Sequence, residues 1–440
     1  MGGAAVTPPS TNKPPSVTVT TIHEDGTISY PAPQVISSNL TLQAPLSRRG
    51  RGPGLVLVLD HYAQIQPNEK YLDPPPLKKW AEEGFAIVQL LVPGKVEDGG
   101  EFPLQKALDV LKGCEGCEFE KGVGLISYVS RTPYYVEEAA SQSPDIKALI
   151  SYGGRNFITY SPAMTSLPPQ LIHAAGAEVP RRQSVSTVPD SAAPAPQGVV
   201  KTYRYEDAKR DTNWVLPSDE NYHGRSAHIA HSRSLEFLKP LLNGPYFDLE
   251  AVWEEHLHYE FDGRSVPKTM ATMVDQPYVN HIPTLTGGVG QKKLTAFYTH
   301  HFIFSNPPDT VLTMVSRTLG TSRVIDEMIY SFTHTSEVPW LLPGIPPSGL
   351  KIELPFTSIV EMRGDRLCHE HISWDQATAL KQLGLLPEWV TWPYPVEGVE
   401  AGKKVEIKLP VYGTETVRKL IDEGCIESNE LMENKWRVVG

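Results

Sequence analysis

The sequence predicts two consecutive domains of different class: a doubly wound, mainly parallel α/β sheet, then an α+β domain with a curved antiparallel sheet. The 440 residues are too many for one ordinary hydrophobic core, so two or three domains are expected. From about residue 55 to 242, apolar runs alternate with helical patterns, which is typical of a parallel sheet covered by helices. After Leu242, a helical stretch precedes a run of long, hairpin-linked strands, and this order indicates the second class.

The first domain is expected to span residues 31–243. Its opening strand, Leu55 to Leu59, is continuously apolar, as expected for a parallel strand that is buried on both faces. Residues 1–30 are predicted to be a disordered tail, because the beginning of the chain is rich in Pro, Ser and Thr. Further strands are predicted at 86–92, 123–128, 148–151, 170–174 and 200–205, and helices at 76–83, 104–111, 135–140 and 227–242.

The second domain is expected to span residues 246–390, with a C-terminal extension over 391–440. Asp248 is a residue type that caps helix N-termini, and the helical pattern begins directly after it. Helices are predicted at 249–261, 266–274 and 292–301, and strands at 313–319, 323–334, 350–363 and 366–375. The extension has too little apolar content for a domain of its own and is predicted to form a strand and a short helix.

The composition argues against nucleic acid and membranes as partners. The net charge is −11, with 51 acidic residues, and such a chain repels polyanions. No apolar run approaches the ~20 residues of a membrane-spanning helix, and the first residues do not form a secretory signal. The four cysteines are too few for a disulfide framework in this length. We therefore expect a cytoplasmic protein whose partner is a small molecule.

The first domain resembles the dienelactone hydrolase family over about residues 35–243. The resemblance rests on Asp60-His61-Tyr62 at the end of the first strand, on the segment 80–86 (Trp-Ala-Glu-Glu-Gly-Phe-Ala), and on the strand and turn that begin at Val123-Gly124. In this family, a glycine-rich turn after that strand presents a cysteine nucleophile.

The residues of the family's catalytic triad are not present at the matching positions. Val129 stands where the cysteine belongs, and Glu178 matches the triad aspartate only as a substitute. Residues 206–214, where the histidine belongs, contain no histidine. Because acyl transfer needs a nucleophile, a base and an orienting acid in contact, we do not expect the family's mechanism here. A shifted turn with Ser127 or Ser130 as nucleophile stays an alternative.

The second domain resembles the SnoaL-like polyketide cyclases, which share the cone-shaped fold of nuclear transport factor 2. One matching motif is Phe332-Thr333-His334-Thr335, followed by residues 343–349 (Pro-Gly-Ile-Pro-Pro-Ser-Gly). The other is residues 369–375 (His-Glu-His-Ile-Ser-Trp-Asp), with Gln-Leu-Gly at 382–384. The resemblance implies the cone fold, a reaction without cofactor or metal, and the homodimer that is common for this fold.

The second motif contains the candidate site residues. In a strand, successive side chains alternate between the two faces, so one face carries His369, His371, Ser373 and Asp375, and the other carries Glu370, Ile372 and Trp374. Asp375 falls on the position of the cyclases' catalytic acid/base. The resemblance therefore implies Asp375 as general acid/base, in an apolar pocket that raises the pKa of its carboxyl. His371 and His334 are predicted to polarise the substrate or relay protons, and His281 is a further candidate.

These expectations combine into one function with two alternatives. The predicted function is cyclisation, isomerisation or dehydration of a polyketide- or terpenoid-like intermediate of specialised metabolism. A lactone or ester hydrolase that uses the first domain is one alternative. A protein that only binds a ligand or acts as a scaffold is the other. A metal is not expected, because the histidines lack the helical HExxH spacing.

Overall fold

The computed structural model describes residues 20–61, 63, 65–68, 70–92, 102–129, 133–153, 167–177 and 200–439. Within these residues, one large sheet of eight strands lies in the first domain and one of six strands in the second. Helices accompany both sheets, which agrees with the predicted organisation in two domains of strands and helices. Among the described helices, none combines the length and the apolar character needed to cross a membrane.

The first domain begins with a small hairpin, β1 (Thr21–Ile22) and β2 (Ile28–Ser29). The eight-stranded sheet consists of β3 (Gln34–Ser37), β4 (Leu40–Gln43), β5 (Gly54–Asp60), β6 (Ala86–Val92), β7 (Val123–Ser127), β8 (Ile146–Ser151), β9 (Gln170–Ala175) and β10 (Val200–Tyr205). Its spatial order is β10-β9-β8-β7-β5-β6-β4-β3. Strands β5 to β10 are mutually parallel, whereas β3 and β4 are antiparallel at one edge.

Apolar cores lie on both faces of this sheet. Leu55, Leu57 and Leu59 of β5 enter one core, and Val56 and Val58 enter the other. A strand with both faces buried must be apolar at every position, and this explains the uninterrupted run in the sequence. The helices of the domain are α1 (Pro76–Glu82), α2 (Leu104–Lys112), α3 (Tyr134–Gln142) and α4 (Gly224–Leu241), with a 3₁₀ turn at Phe119–Lys121.

The second domain combines a mixed six-stranded sheet with a helical layer. Its strands are β11 (Met273–His281), β12 (Thr286–Val289), β13 (Val311–Leu319), β14 (Arg323–Thr333), β15 (Lys351–Arg363) and β16 (Arg366–Trp374). Their order is β12-β11-β16-β15-β14-β13, and only the pair β11/β16 is parallel. The helices are α5 (Leu249–Leu257), α6 (Val266–Ala271), α7 (Gln291–Phe297) and α8 (Gln376–Gln382). Two π-helical turns, His258–Asp262 and Tyr298–Phe302, directly continue α5 and α7.

The structure differs from the predicted elements at several places. The C-terminal extension, for which a strand and a short helix are predicted, contains three strands. The helix predicted over 266–274 ends at Ala271, and β11 begins two residues later, because this segment pairs with β16. The predicted disordered tail contains the β1–β2 hairpin in its described part. Gly26, in the turn of this hairpin, packs so closely on α6 that an added Cβ would lie 2.3 Å from the carbonyl oxygen of Pro267. The hairpin therefore lies in contact with α6, a helix of the second domain.

The turn between β15 and β16 joins the two domains through buried charges. The guanidinium of Arg363, which is buried, donates to the Glu82 carboxylate at 2.9 Å and lies 3.5 Å from Asp73. The backbone N–H of Gly364 donates to the Glu83 carboxylate at 3.2 Å. Gly364 has a φ of +62°, and an added Cβ would lie 2.2 Å from the carbonyl oxygen of Glu82. A glycine is therefore required for this turn to dock against the end of α1.

The C-terminal extension forms a small sheet beside the second domain. Its strands are β17 (Trp389–Trp392), β18 (Lys404–Lys408) and β19 (Arg437–Val439), in the order β17-β18-β19. Its helix is α9 (Glu415–Ile421), and a 3₁₀ turn covers Glu430–Glu433. A hydrogen bond from Lys381 of α8 to the carbonyl of Val411 connects the extension to the domain.

Candidate functional site

An apolar cavity lies inside the second domain, between the sheet and the helical layer. We call it the cone cavity. Most of its lining is aromatic or aliphatic: Trp253, Leu257, Phe261, Phe302, Leu312, Met328, Tyr330, Trp340, Phe356 and Ile372. The remaining lining residues, Glu260, His281 and Ser358, are polar. The free volume is about 30 Å³, room for about two water molecules, so a larger ligand requires the lining side chains to move.

Three buried ionisable side chains, Glu260, His256 and Glu370, lie next to one another, and we call them the row. Of the three, Glu260 lines the cavity. Nε2 of His256 lies 3.0 Å from the Glu260 carboxylate and 3.2 Å from the Glu370 carboxylate. All three side chains are buried. The hydroxyl of Tyr298 lies 3.4 Å from the same Nε2. Buried ionisable groups in mutual contact are concentrated at functional sites, so this row is a candidate site.

Two π-helical turns position polar side chains around the His256 ring. His256 lies in α5, and Glu260 follows four residues later in the π-helical turn. Tyr298 begins the second π-helical turn, after α7. Glu370 comes from β16, on the face that also carries Ile372 and Trp374. π-Helical turns are rare and occur often at functional sites, and here they hold two of the polar groups that surround the imidazole.

Hydrogen bonds orient the His256 ring. The Thr272 hydroxyl donates to the carbonyl of Thr269 at 2.7 Å, so its oxygen accepts from Nδ1–H of His256 at 2.6 Å. Nε2 then faces the carboxylates. Burial by itself lowers the pKa of His256, but Glu260 and Glu370 overcome this and raise it to about 10. Burial raises the pKa of Glu370, and the charge of His256 opposes that change. At neutral pH the ring is therefore an imidazolium.

The charge of His256 predicts a pH dependence of stability. Because its pKa in the folded protein is about 10 against an ordinary 6.5, its contribution is fully present below pH about 6.5 and lost as the pH rises to about 10. We expect histidine-selective ¹⁵N NMR to show both ring nitrogens of His256 protonated at pH 8. Urea unfolding should show a loss of stability from pH 7 to 10 that is smaller in Glu370→Gln. A ring that is neutral at pH 8 would contradict this assignment.

The same three residues could also hold a metal ion. Their ligand atoms all lie within 4.8 Å of one another, and they are the one such set in the described part of the chain. One imidazole and two carboxylates are a donor set that divalent transition metals accept. A metal would have to displace the Nε2 proton, which the raised pKa of His256 disfavours at neutral pH. In the NMR experiment above, a chelator-dependent signal would reveal the metal form.

His281, a predicted site residue, lies in the cone cavity. It ends β11, is buried, and packs against the rings of Phe302 and Trp340. The Thr286 hydroxyl donates to the carbonyl of Trp340 at 2.9 Å, so its oxygen accepts from Nδ1–H of His281 at 3.1 Å. Nε2 is left with a lone pair and no hydrogen-bond partner among the described residues. Burial lowers the pKa of His281 to about 3, so the ring is neutral and accepts hydrogen bonds.

Two further polar groups of this region have unused hydrogen-bonding capacity. The hydroxyl of Ser358 lines the cavity and has no partner in the described part of the chain. Oδ1 of Asn306 accepts from Tyr330 and Trp340, both at 2.9 Å, while its Nδ2 has no partner among the same residues. Buried donors without partners are rare in folded proteins, and they indicate places where a ligand or water is bound.

The prediction that Asp375 is the general acid/base in the cavity is wrong. Asp375 is exposed and is the N-cap of α8. Its carboxylate accepts hydrogen bonds from the backbone N–H of Ala377 and Thr378, both at 3.1 Å, and from the Thr378 hydroxyl at 2.7 Å. A side chain that caps the first turn of a helix is used in local structure, and in this position it does not face the cavity.

Removal of this cap is expected to affect stability but not chemistry. Asp375→Ala leaves N–H groups of the first turn of α8 without an acceptor, so it should cost about 1 kcal/mol of unfolding free energy. Asp375→Asn keeps an acceptor and is the matched control, with a much smaller loss. Urea unfolding measures both. A loss of turnover in Asp375→Asn without a change in stability would return Asp375 to the site.

His371 and His334 also lie outside the cone cavity, contrary to prediction. The alternation along β16 is as predicted, but the faces are exchanged: Ile372 and Trp374 enter the core of the domain, whereas His371 is half-buried against Tyr278 and His369 on the other face. His334 is buried beyond the end of β14, where Nδ1 lies 3.1 Å from the Ser348 hydroxyl. The apolar residues of β16 take the inner face, because burying them stabilises the core.

The sequence contains a pattern that could have identified His256 and Glu260, which were not predicted as site residues. His256 and Glu260 have the i, i+4 spacing that places two side chains on one helical face, next to the buried Val252 and Trp253. Glu370 belongs to the second motif, on the strand face opposite the one that carries Asp375. Two ionisable groups within an apolar helical stripe are costly to bury unless they are paired, and this pattern alone predicts a partner.

The first domain shows no triad in the described residues of the matching turn. Ser127 is fully buried at the end of β7. Tyr128, which follows it, is buried too, and its hydroxyl accepts from Trp80 at 2.7 Å. Ser130 and Glu178 lie outside the described residues. The resemblance of this domain to dienelactone hydrolases stays a prediction.

Comparison with known proteins finds similarity only among solved structures. No family model and no curated protein matches the chain. Three similar structures are TsrD from Streptomyces laurentii (15% identity, 32% of this chain, 100% of that chain, TM-score 0.27), a protein proposed to be a SnoaL-like polyketide cyclase from Jannaschia sp. CCS1 (14%, 33%, 99%, 0.26), and an NTF2-like protein of unknown function from Burkholderia pseudomallei (14%, 31%, 98%, 0.25). At these values the similarities assign neither a substrate nor a reaction to this chain.

Proposed function

We propose that the second domain is an acid–base enzyme that cyclises, isomerises or dehydrates a mainly apolar molecule bearing a carbonyl group. The observation that carries this proposal is the enclosed row Glu260–His256–Glu370, with Glu260 on the wall of an apolar cavity. General acid–base catalysis needs a proton-exchanging group within reach of the substrate and protected from bulk water. The chain supplies such a group without requiring a cofactor.

In this proposal Glu260 takes a proton from a carbon next to the substrate carbonyl. The C–H bond breaks, its electron pair moves toward the carbonyl oxygen, and an enolate forms. The Ser358 hydroxyl, which has no partner among the described residues, can donate to that oxygen. In an isomerisation Glu260, now a neutral acid, returns the proton to another carbon. In a dehydration the electron pair of the enolate expels a hydroxyl group, whose C–O bond breaks while Glu260 gives it the proton, and water leaves. In a cyclisation the enolate carbon forms a C–C bond with a second carbonyl carbon of the substrate, and the resulting alkoxide takes the proton from Glu260.

His256 and Glu370 act through Glu260 as positioning residues. With both carboxylates ionised, the imidazolium leaves the row with one net negative charge. A proton accepted by Glu260 leaves the row with no net charge. Glu370 then compensates the imidazolium while Glu260 is neutral. The proton transfer therefore does not leave an isolated charge in the core.

The lining of the cavity indicates which chemical groups the substrate carries. Aromatic and aliphatic side chains dominate, so the substrate is mainly apolar, and Nε2 of His281 can accept a hydrogen bond from one substrate hydroxyl. A polyketide- or terpenoid-like intermediate has these properties. Because the free volume is about 30 Å³, binding such a molecule must displace lining side chains, and we expect a conformational step before chemistry.

The experiment that tests the proposal replaces the gene, in the organism that encodes it, by a Glu260→Gln allele. We expect the same intermediate to accumulate as in a strain that lacks the gene, whereas an Asp375→Asn allele should preserve the normal product. If Glu260→Gln preserves the product and the folded protein is present, Glu260 does not carry the reaction. If deletion changes no metabolite, a role in ligand binding alone is favoured.

A further inference from the structure

A second cavity lies between the two domains, apart from the cone cavity. We call it the interdomain cleft. Its volume is about 230 Å³, several times that of the cone cavity, so it admits a small organic molecule without a change in the fold. Both domains contribute to its lining, which includes Tyr71, Tyr222 and His228 from the first and Tyr278, Glu361 and His369 from the second.

Buried polar contacts hold the walls of the cleft in place. Asp73 lies at its base, where the Lys79 ammonium lies 2.7 Å away and the Arg363 guanidinium 3.5 Å away. The hydroxyl of Tyr222 donates to the same carboxylate at 3.0 Å. These groups come from both domains, and their mutual contacts fix the tyrosine ring. The cleft is therefore formed before any ligand enters, which lowers the entropic cost of binding.

The walls of the cleft offer flat aromatic surfaces. Tyr71 and Tyr222 meet edge to face, with 4.7 Å between their ring centroids. Elsewhere in the lining, the His369 ring lies 6.4 Å from that of His228, with 24° between the two planes, and 6.4 Å from that of Tyr278. Rings from two domains thus surround one space. A planar ligand can contact them by stacked or edge-to-face packing.

The charged groups of the cleft are already paired within the protein. Glu361 accepts from Arg323 and lies 3.3 Å from the His369 ring. Arg363 is bound by Glu82 and Asp73, as described above. Among the described lining residues, an anionic ligand would therefore find an unpaired counter-charge only at Lys70, which is exposed, and a cationic ligand would find none. Burial of a charge without a partner is costly, so the cleft favours an uncharged ligand.

The imidazole of His228 provides a hydrogen-bonding group in the lining of the cleft. Burial lowers its pKa, and the charge of Lys79 acts in the same direction, so the ring is neutral and one nitrogen carries a lone pair. Burial also lowers the pKa of His369 to about 4, despite the nearby Glu361. His228 makes a ring contact with His369 but has no hydrogen bond to its ring in the described part of the chain. It can accept from a hydroxyl group.

We propose that the interdomain cleft is a second ligand site, which binds a planar, uncharged aromatic molecule whose hydroxyl group donates to the ring of His228. The tyrosine and imidazole rings pack against the two sides of the ligand. The site is independent of the acid–base reaction proposed for the cone cavity, because it shares no lining residue with that cavity. Both domains are needed to form it, and neither domain alone carries its full lining.

The test is calorimetric titration of the full chain with 2-naphthol, which is planar, uncharged at neutral pH and carries one hydroxyl. Two further probes are 2-methylnaphthalene, which lacks the hydroxyl, and 2-naphthoate, which is an anion. We expect 2-naphthol to bind most tightly. His228→Phe keeps a ring but removes both nitrogens, and it should weaken 2-naphthol binding about tenfold while leaving 2-methylnaphthalene binding unchanged.

A matched substitution in the other cavity shows where the probe binds. His281→Phe makes the same change in the cone cavity and should leave 2-naphthol binding unchanged, and circular dichroism confirms that both variants are folded. If His281→Phe weakens binding and His228→Phe does not, the probe occupies the cone cavity and the inference is overturned. Tighter binding of 2-naphthoate than of 2-naphthol would overturn the uncharged class of ligand. Because binding is measured without turnover, the result is independent of the Glu260 experiment.

Discussion

Glu260→Gln is expected to lower turnover by about 10²–10⁴-fold, the range that general acid–base groups contribute. The amide has nearly the same shape as the carboxylate but cannot accept a proton at neutral pH. Glu260 is the carboxylate of the buried row that lines the cone cavity. The substrate for the assay is the intermediate that accumulates in a strain lacking the gene, and the measured quantity is kcat on purified full-length protein.

Two matched changes separate the chemical effect of this substitution from its effect on structure. Glu370→Gln changes the other carboxylate beside His256, which does not line the cavity. We therefore expect this substitution to affect stability more than kcat. Glu260→Asp keeps a carboxyl and should retain part of the activity. Equal losses of kcat in Glu260→Gln and Glu370→Gln, with equal losses of stability, would mean that the row is structural and that the proton-exchanging group lies elsewhere.

Arg363→Leu is expected to lower the unfolding free energy by about 3–5 kcal/mol, the usual cost of removing one partner from a buried ion pair. Arg363 is buried between the domains, with Glu82 at 2.9 Å and Asp73 at 3.5 Å. Burial raises the pKa of Glu82, and Arg363 opposes that change, so without Arg363 the buried Glu82 carboxylate is left with the longer, 3.7 Å ion pair to Lys78. Urea unfolding of both proteins at neutral pH measures the loss.

Arg225→Leu is the matched control, because it also removes an arginine from an ion pair. The Arg225 side chain is 72% exposed and that of its partner, Asp207, is 67% exposed. Solvent screens such a pair, and its loss should cost less than about 1 kcal/mol. If the two substitutions cost the same, the charges at the junction do not hold the domains together. The interdomain cleft would then lack the preformed walls on which its proposed ligand site depends.

Much of the fold follows from periodicity that is visible in the sequence. The continuously apolar run at 55–59 identified a strand that is buried on both faces. The prediction also placed the ends of four long strands to within two residues: 311–319, 323–333, 351–363 and 366–374. Local sequence did not predict the start of β11. The helical pattern continues to residue 274, but α6 ends at Ala271 because the following residues pair with β16. The hairpin at 21–29 depends on contact with α6, which no local pattern contains.

The sequence by itself determined that the side chains of β16 alternate between two faces and that His281 is a candidate site residue. It also determined that the candidate acids and bases lie in the second domain. Only the tertiary structure decided which face is inside. Period two is a property of the single strand, whereas the choice of face depends on the side chains of the helical layer, including α5, that pack against one side of the sheet. For the same reason Asp375 is a helix cap, and Glu370 lies beside His256, which is more than a hundred residues away along the chain and pairs with Glu260 on the cavity wall.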